Sequence, residues 1–207
     1  MLVDKNILMN RSDKTYDVFT NYITNDFLLD PSLPKSLKPS EYVAECWDRY
    51  KRNESPSTYI RNRALNGKVF EVIIATALYR KSIRPFYLQA TAKLVPDVDY
   101  DIIMYDKTND VPITISVKTS IRERYKQADL EAYAFKNVHR AALNYLVLLN
   151  ANECANVQRK IESGSVLGLK QAIQADANDF DDFIKELKKL KLGASPKITL
   201  FEGQRVK

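Results

Sequence analysis

Cysteine, glycine and histidine are scarce in this 207-residue chain, with two, five and one respectively. Cys46 and Cys154 lie far apart, in no metal-like spacing. That excludes a disulfide framework or zinc site as the organising principle and makes a reducing cytoplasm the default expectation. So few glycines leave little room for a phosphate-cradling loop, and neither common type is found. Gly-x-Ser-x-Gly and HExxH are absent too, which removes the common serine-hydrolase and zinc-protease signatures. The one histidine, His139, falls on a polar helix face and reads as structural. No long apolar run occurs, and the opening MLVDKNILMN reads as neither a secretory signal nor a membrane anchor.

Charge and apolar content are plentiful. The net charge is +6, from 32 Lys and Arg against 26 Asp and Glu. This is compatible with a polyanionic partner without requiring one. With 45% hydrophobic residues, the chain can bury one sizeable core, with a small helical extension.

Apolar periodicity predicts a helix over 13–29, a proline-rich linker over 31–39 and a helix opening at Ser40 and Glu41. A further helix is expected over 58–80, with Gly67 as a break. Short β-favouring segments follow at 87–94, 101–105 and 113–119, and the polar stretch Asp106–Asp110 reads as the turn of an antiparallel hairpin. A helix over 121–143, an apolar strand at 145–149, helices at 152–162 and 178–191 and a strand at 198–201 complete the pattern. The expected class is α/β, a mixed sheet flanked by helices with an N-terminal helical part. The division is 1–66 for that helical region and 67–207 for the core.

The hairpin brings chemistry together. A turn centred near Thr108–Asn109 sets Asp101 opposite Ser116–Lys118, and cross-strand neighbours stand about 5 Å apart. A carboxylate and an ammonium at one sheet end suit phosphodiester hydrolysis. The acid holds a divalent cation on a phosphate oxygen; the lysine orients or deprotonates water and offsets developing charge. Glu131, on the next helix, shares a face with Arg124 and Gln127, while Ala128, Ala132, Phe135 and Val138 line an inner face. Two carboxylates and a main-chain carbonyl, with Val117 the candidate, suit magnesium. Glu71 is the lone charge in VFEVIIATAL. Burying even a neutral polar group costs on the order of 2–7 kcal/mol, so a lysine or metal-bound water should compensate it.

PDVDYD (96–101), SVK (116–118) and Glu131 resemble the PD-(D/E)xK nuclease motif in a variant arrangement. There the acid two residues before the lysine is replaced, and a glutamate on the following helix takes over. The run K-T-S-x-R-E-R-Y-K-Q-x-x-x-E, from Lys118 to Glu131, is similar to that of type II restriction endonucleases reading CCGG or CC(A/T)GG. The resemblance covers roughly 67–149, with its sharp matches confined to 96–131. Ser116 occupies the usual acid position. Asp101 opens the apolar strand and faces the lysine in the hairpin register, so it is preferred as the metal-binding aspartate; Asp97, which matches the literal motif, stays the alternative.

The resemblance implies a restriction-endonuclease-like sheet, a Mg2+ cofactor and site-specific cutting of double-stranded DNA. It assigns catalysis to Asp101, Lys118, Glu131, Glu71 and Ser116, and metal binding to Asp101, Glu131 and Val117. It also implies base readout by Arg122, Glu123 and Arg124, since arginine can pair guanine and glutamate can accept from cytosine. Lys126 and Gln127 would add phosphate or groove contacts. A palindromic site calls for a homodimer, and a companion DNA methyltransferase would belong to such a system. The rival readings are a repair or junction-resolving nuclease of the same fold, and a catalytically inactive DNA-binding module.

Overall fold

A computed structural model describes residues 36–53, 62–92, 95–121, 125–194 and 201–206. The helix expected over 13–29 lies outside them. Among the described residues the helices are α1 (Pro39–Asn53), α2 (Arg63–Arg80), α3 (Tyr125–Val138), α4 (Ala151–Glu162) and α5 (Asn178–Lys188). The strands are β1 (Phe86–Ala92), β2 (Val95–Asp106), β3 (Val111–Lys118), β4 (Leu143–Leu148), β5 (Gln171–Gln174) and β6 (Phe201–Val206). They form one six-stranded sheet in the order β5-β4-β3-β2-β1-β6.

The chain is α/β with a mixed sheet. β6, β1, β2 and β3 pair antiparallel, whereas β3, β4 and β5 pair parallel. Parallel neighbours need a crossover, and α3 and α4 supply one each. β4 is buried on both faces, as its apolar run requires: Tyr145 and Val147 join the core under α1, α2 and α5, while Leu146 and Leu148 join the one under α3 and α4.

The β2–β3 hairpin has the expected register, with Ile102 facing Ile115 and Asp106 facing Val111. Its turn is locally encoded. The Asp106 carboxylate accepts from the Thr108 amide at 3.0 Å and from Asn109 Nδ2 at 2.6 Å, and Asp110 takes a left-handed φ of 57°.

Several expected elements differ. The first described helix opens at Pro39, a favoured first helical position, and Glu41 Oε2 reaches back to the Lys38 amide. Ser40 is therefore not the cap; its amide and hydroxyl both donate to the buried Asp181 of α5. α2 continues through Gly67 unbroken, because its surroundings bury it almost all round. α3 stops at Val138, since Leu143 and Asn144 are drawn into β4. β5 was not expected at all: four residues are too few to establish an alternation. Of the strand expected at 198–201, residues 198–200 lie outside the described residues, and Phe201 opens β6. No described helix is long and apolar enough to cross a membrane.

Candidate active site

Asp101 faces the end of β3. The Ile102–Ile115 pairing places it opposite Ser116. There the backbone ladder gives way to side-chain contacts. Asp101 Oδ2 accepts from the Val117 amide at 2.7 Å, from Lys118 Nζ at 2.8 Å and from Ser116 Oγ at 3.4 Å. Asp101 is buried, at 7% exposure, so these donors stabilise a carboxylate that burial alone would penalise. A strand residue's N–H and C=O leave on the same side, so the Val117 carbonyl also faces the Asp101 edge. The Lys118 carbonyl points the other way and accepts from Leu149 N.

Lys118 is half-exposed. Burial works to lower its pKa, but the charge and hydrogen bond of Asp101, reinforced by Glu71 and Glu131, hold it above its ordinary value. Asp101 is thus bonded to the ammonium, and the charges of Glu71 on α2 and Glu131 on α3 also act on it. Glu71 is half-buried on α2, and its Oε2 accepts from Gln89 Nε2 at 2.9 Å. The same nitrogen stands 3.5 Å from Asp101 Oδ1. The apolar setting of Glu71 is therefore compensated partly by an amide on β1, a residue the sequence did not single out.

Glu131 lies on α3 beside a small cavity also lined by Asp99, Tyr100, Thr114, Ser116 and Tyr145. Ala128, Ala132 and Phe135 form the buried face of α3, as the helical spacing predicts. Gln127 Nε2 donates to Glu131 Oε1 at 2.9 Å across one turn. The Tyr100 hydroxyl donates to the Glu131 carbonyl at 3.3 Å, and burial with the nearby Glu131 charge keeps that hydroxyl protonated.

Two buried contacts lock α3 to the sheet. Asn144, fully buried on β4, donates through Nδ2 to the carbonyls of Ala132 and Gly168 and accepts from Thr114 Oγ1. Gly168 lies so close to α3 that a Cβ there would come within 2.4 Å of the Asp129 oxygen and the Tyr133 nitrogen. The signal for Asn144 was readable, since it is the lone polar residue in LNYLVLL; none marked Gly168 or Gln89.

The candidate donors are carboxylate and carbonyl oxygens, a set that suits magnesium. Among the described residues no three His, Cys, Asp or Glu side chains converge on one point. An ion here would draw on two carboxylates together with water and phosphate oxygens, as magnesium ordinarily does. Lys126 and Gln127 are exposed at the start of α3. Arg122, Glu123 and Arg124 lie outside the described residues, and nothing is described of the Asp97 side chain. His139 follows α3, its ring 5.2 Å from that of Phe135, and Trp47 is buried in the core.

No family model, curated protein or solved structure matches the chain.

Proposed function

We propose that the chain is a magnesium-dependent endonuclease that hydrolyses phosphodiester bonds of double-stranded DNA at a short palindrome containing C·G pairs. One observation carries the reading: a buried aspartate and a lysine meet at a sheet end where acids from two further elements bias the same ammonium.

Asp101 and Glu131 would hold the cation, with the Val117 carbonyl on the Asp101 side. When bound, magnesium polarises a phosphate oxygen and makes its bound water more acidic. The Val117 amide keeps the Asp101 side chain fixed. Lys118 carries positive charge to the place where the phosphate accumulates negative charge. Ser116 donates to Asp101 from the strand position where the related motif has an acid, and Glu131 supplies that acid from α3. Glu71 adds a carboxylate at the same end. Arg122, Glu123 and Arg124 read the bases, Lys126 and Gln127 contact the backbone or groove, and two copies read the two halves of a palindrome.

Incubating plasmid and genomic DNA with the protein and Mg2+, then sequencing the ends, tests the reading. Discrete ends at CCGG-type or CC(A/T)GG-type palindromes are expected. Cutting confined to branched DNA would transfer the protein to junction resolution. No cutting with any divalent cation would end the enzymatic reading.

A further inference from the structure

We propose that Gln89 is a positioning residue that holds Glu71 at the cation-binding end of the site; the inference rests on the nuclease reading of Asp101 and Lys118.

Gln89 is in the interior of β1, yet its φ is +46°, a left-handed value that a glutamine rarely adopts. The pairing of β1 with β6 slips by one residue between Leu88 and Thr91, so Gln89 lies at a β-bulge. The bulge changes which side of the sheet β1 feeds. Leu88 packs into the core under α1, α2 and α5, whereas Ala90 and Ala92 pack into the core of Tyr100 and Phe135. Bulges beside functional sites commonly re-aim a side chain, and a strained residue persists only where its surroundings impose it.

The re-aimed carboxamide meets two acids from different elements. Its nitrogen donates to Glu71 Oε2 at 2.9 Å and approaches Asp101 Oδ1 at 3.5 Å. Both partners are carboxylate oxygens, so the nitrogen rather than the oxygen must face them. A neutral double donor suits this position. It joins two like charges without consuming either, leaving both available to a cation. A lysine would neutralise them, and a third acid would repel them. Asp101 has three other donors on its other oxygen. Removing the amide therefore leaves Asp101 in place and takes from Glu71 the donor that ties it to β1.

The test uses Gln89→Asn. Asparagine tolerates a left-handed backbone better than glutamine does, so the bulge survives, while the side chain loses about 1.5 Å of reach. Mg2+ titrations of plasmid cleavage are run on wild type, Gln89→Asn, Glu71→Ala and the double variant. Mg2+ binding without DNA is followed by calorimetry. A hydrogen bond to a charged group supports an expected rise of about tenfold in the Mg2+ concentration for half-maximal cleavage, with a parallel loss in calorimetric affinity. The Gln89→Asn effect should vanish in the Glu71→Ala background, because the amide acts through Glu71. An active wild type whose Mg2+ dependence and affinity are unmoved by Gln89→Asn overturns the inference. So does an equal loss in the presence and absence of Glu71. A wild type that neither cuts DNA nor binds Mg2+ overturns the nuclease reading instead.

Discussion

The ammonium of Lys118 lies 2.8 Å from Asp101 Oδ2, while the amide of the residue before it, Val117, reaches the same oxygen at 2.7 Å. One carboxylate oxygen thus reads two successive residues of β3. The Asp101 side chain is held by the backbone even when the lysine is removed.

Lys118→Ala should therefore leave the fold and specific DNA binding largely intact and lower Mg2+-dependent cleavage by about 10²–10³-fold, as for loss of other charge-stabilising donors. Thermal melting, a binding titration and a cleavage time course check this together. Near wild-type cutting would remove Lys118 from the mechanism.

Glu131→Ala should abolish magnesium-dependent cleavage. Ser116 Oγ is 3.4 Å from Asp101 Oδ2, so Ser116→Glu in the Glu131→Ala background returns a carboxylate to the strand beside Asp101. Partial recovery of cleavage is expected. Full activity in Glu131→Ala alone would show that α3 supplies no acid to the reaction.

Gly168→Ala forces a methyl group into the α3 backbone, where Asp129 and Tyr133 stand 2.4 Å from its position. Neither can yield as a flexible side chain would. Urea unfolding should show a loss of about 1–3 kcal/mol or more. Cleavage at temperatures where the variant remains folded should fall as well, because α3 carries Glu131. Stability and activity both equal to wild type would mean that the loop retreats freely.

Arg124 and Lys126 should separate by salt dependence. Arg124→Ala is expected to lose specific affinity more than non-specific affinity, by about 1–3 kcal/mol at a C·G pair. Lys126→Ala should weaken all sequences alike and reduce the slope of log K against log salt by about one. Mapped cleavage sites without adjacent C·G pairs would leave the charged triplet as a solvated helix start.

Both cysteines should be silent towards thiol reagents in the native state. Burial pushes the Cys46 thiol up to about 12, and burial, aided by Asp179 and Asp176, pushes Cys154 up to about 12. The thiolate is the reactive form, so at pH 8 almost none is present in either. A coloured disulfide reagent should show no rapid phase until urea unfolds the chain, when both react. Stoichiometric native reaction within seconds would contradict their burial.

The sequence by itself determined the features that near neighbours control. The Asp106–Asp110 turn sets a hairpin whose register brings Asp101 to Ser116, because turn geometry and a two-residue side-chain period leave no freedom to slip by one. Helical spacing likewise placed Ala128, Ala132 and Phe135 inside and Glu131 on the adjoining face. Only the tertiary structure decided which distant groups complete the site. Gln89 meets Glu71 and Asp101 because a bulge against β6, more than a hundred residues away in the chain, turns β1 at that point. β5 exists because β4 offers it a parallel edge, and Gly168 matters because its loop crosses the backbone of α3. Such contacts depend on three-dimensional approach between elements far apart in sequence, and no local pattern of polarity records that approach.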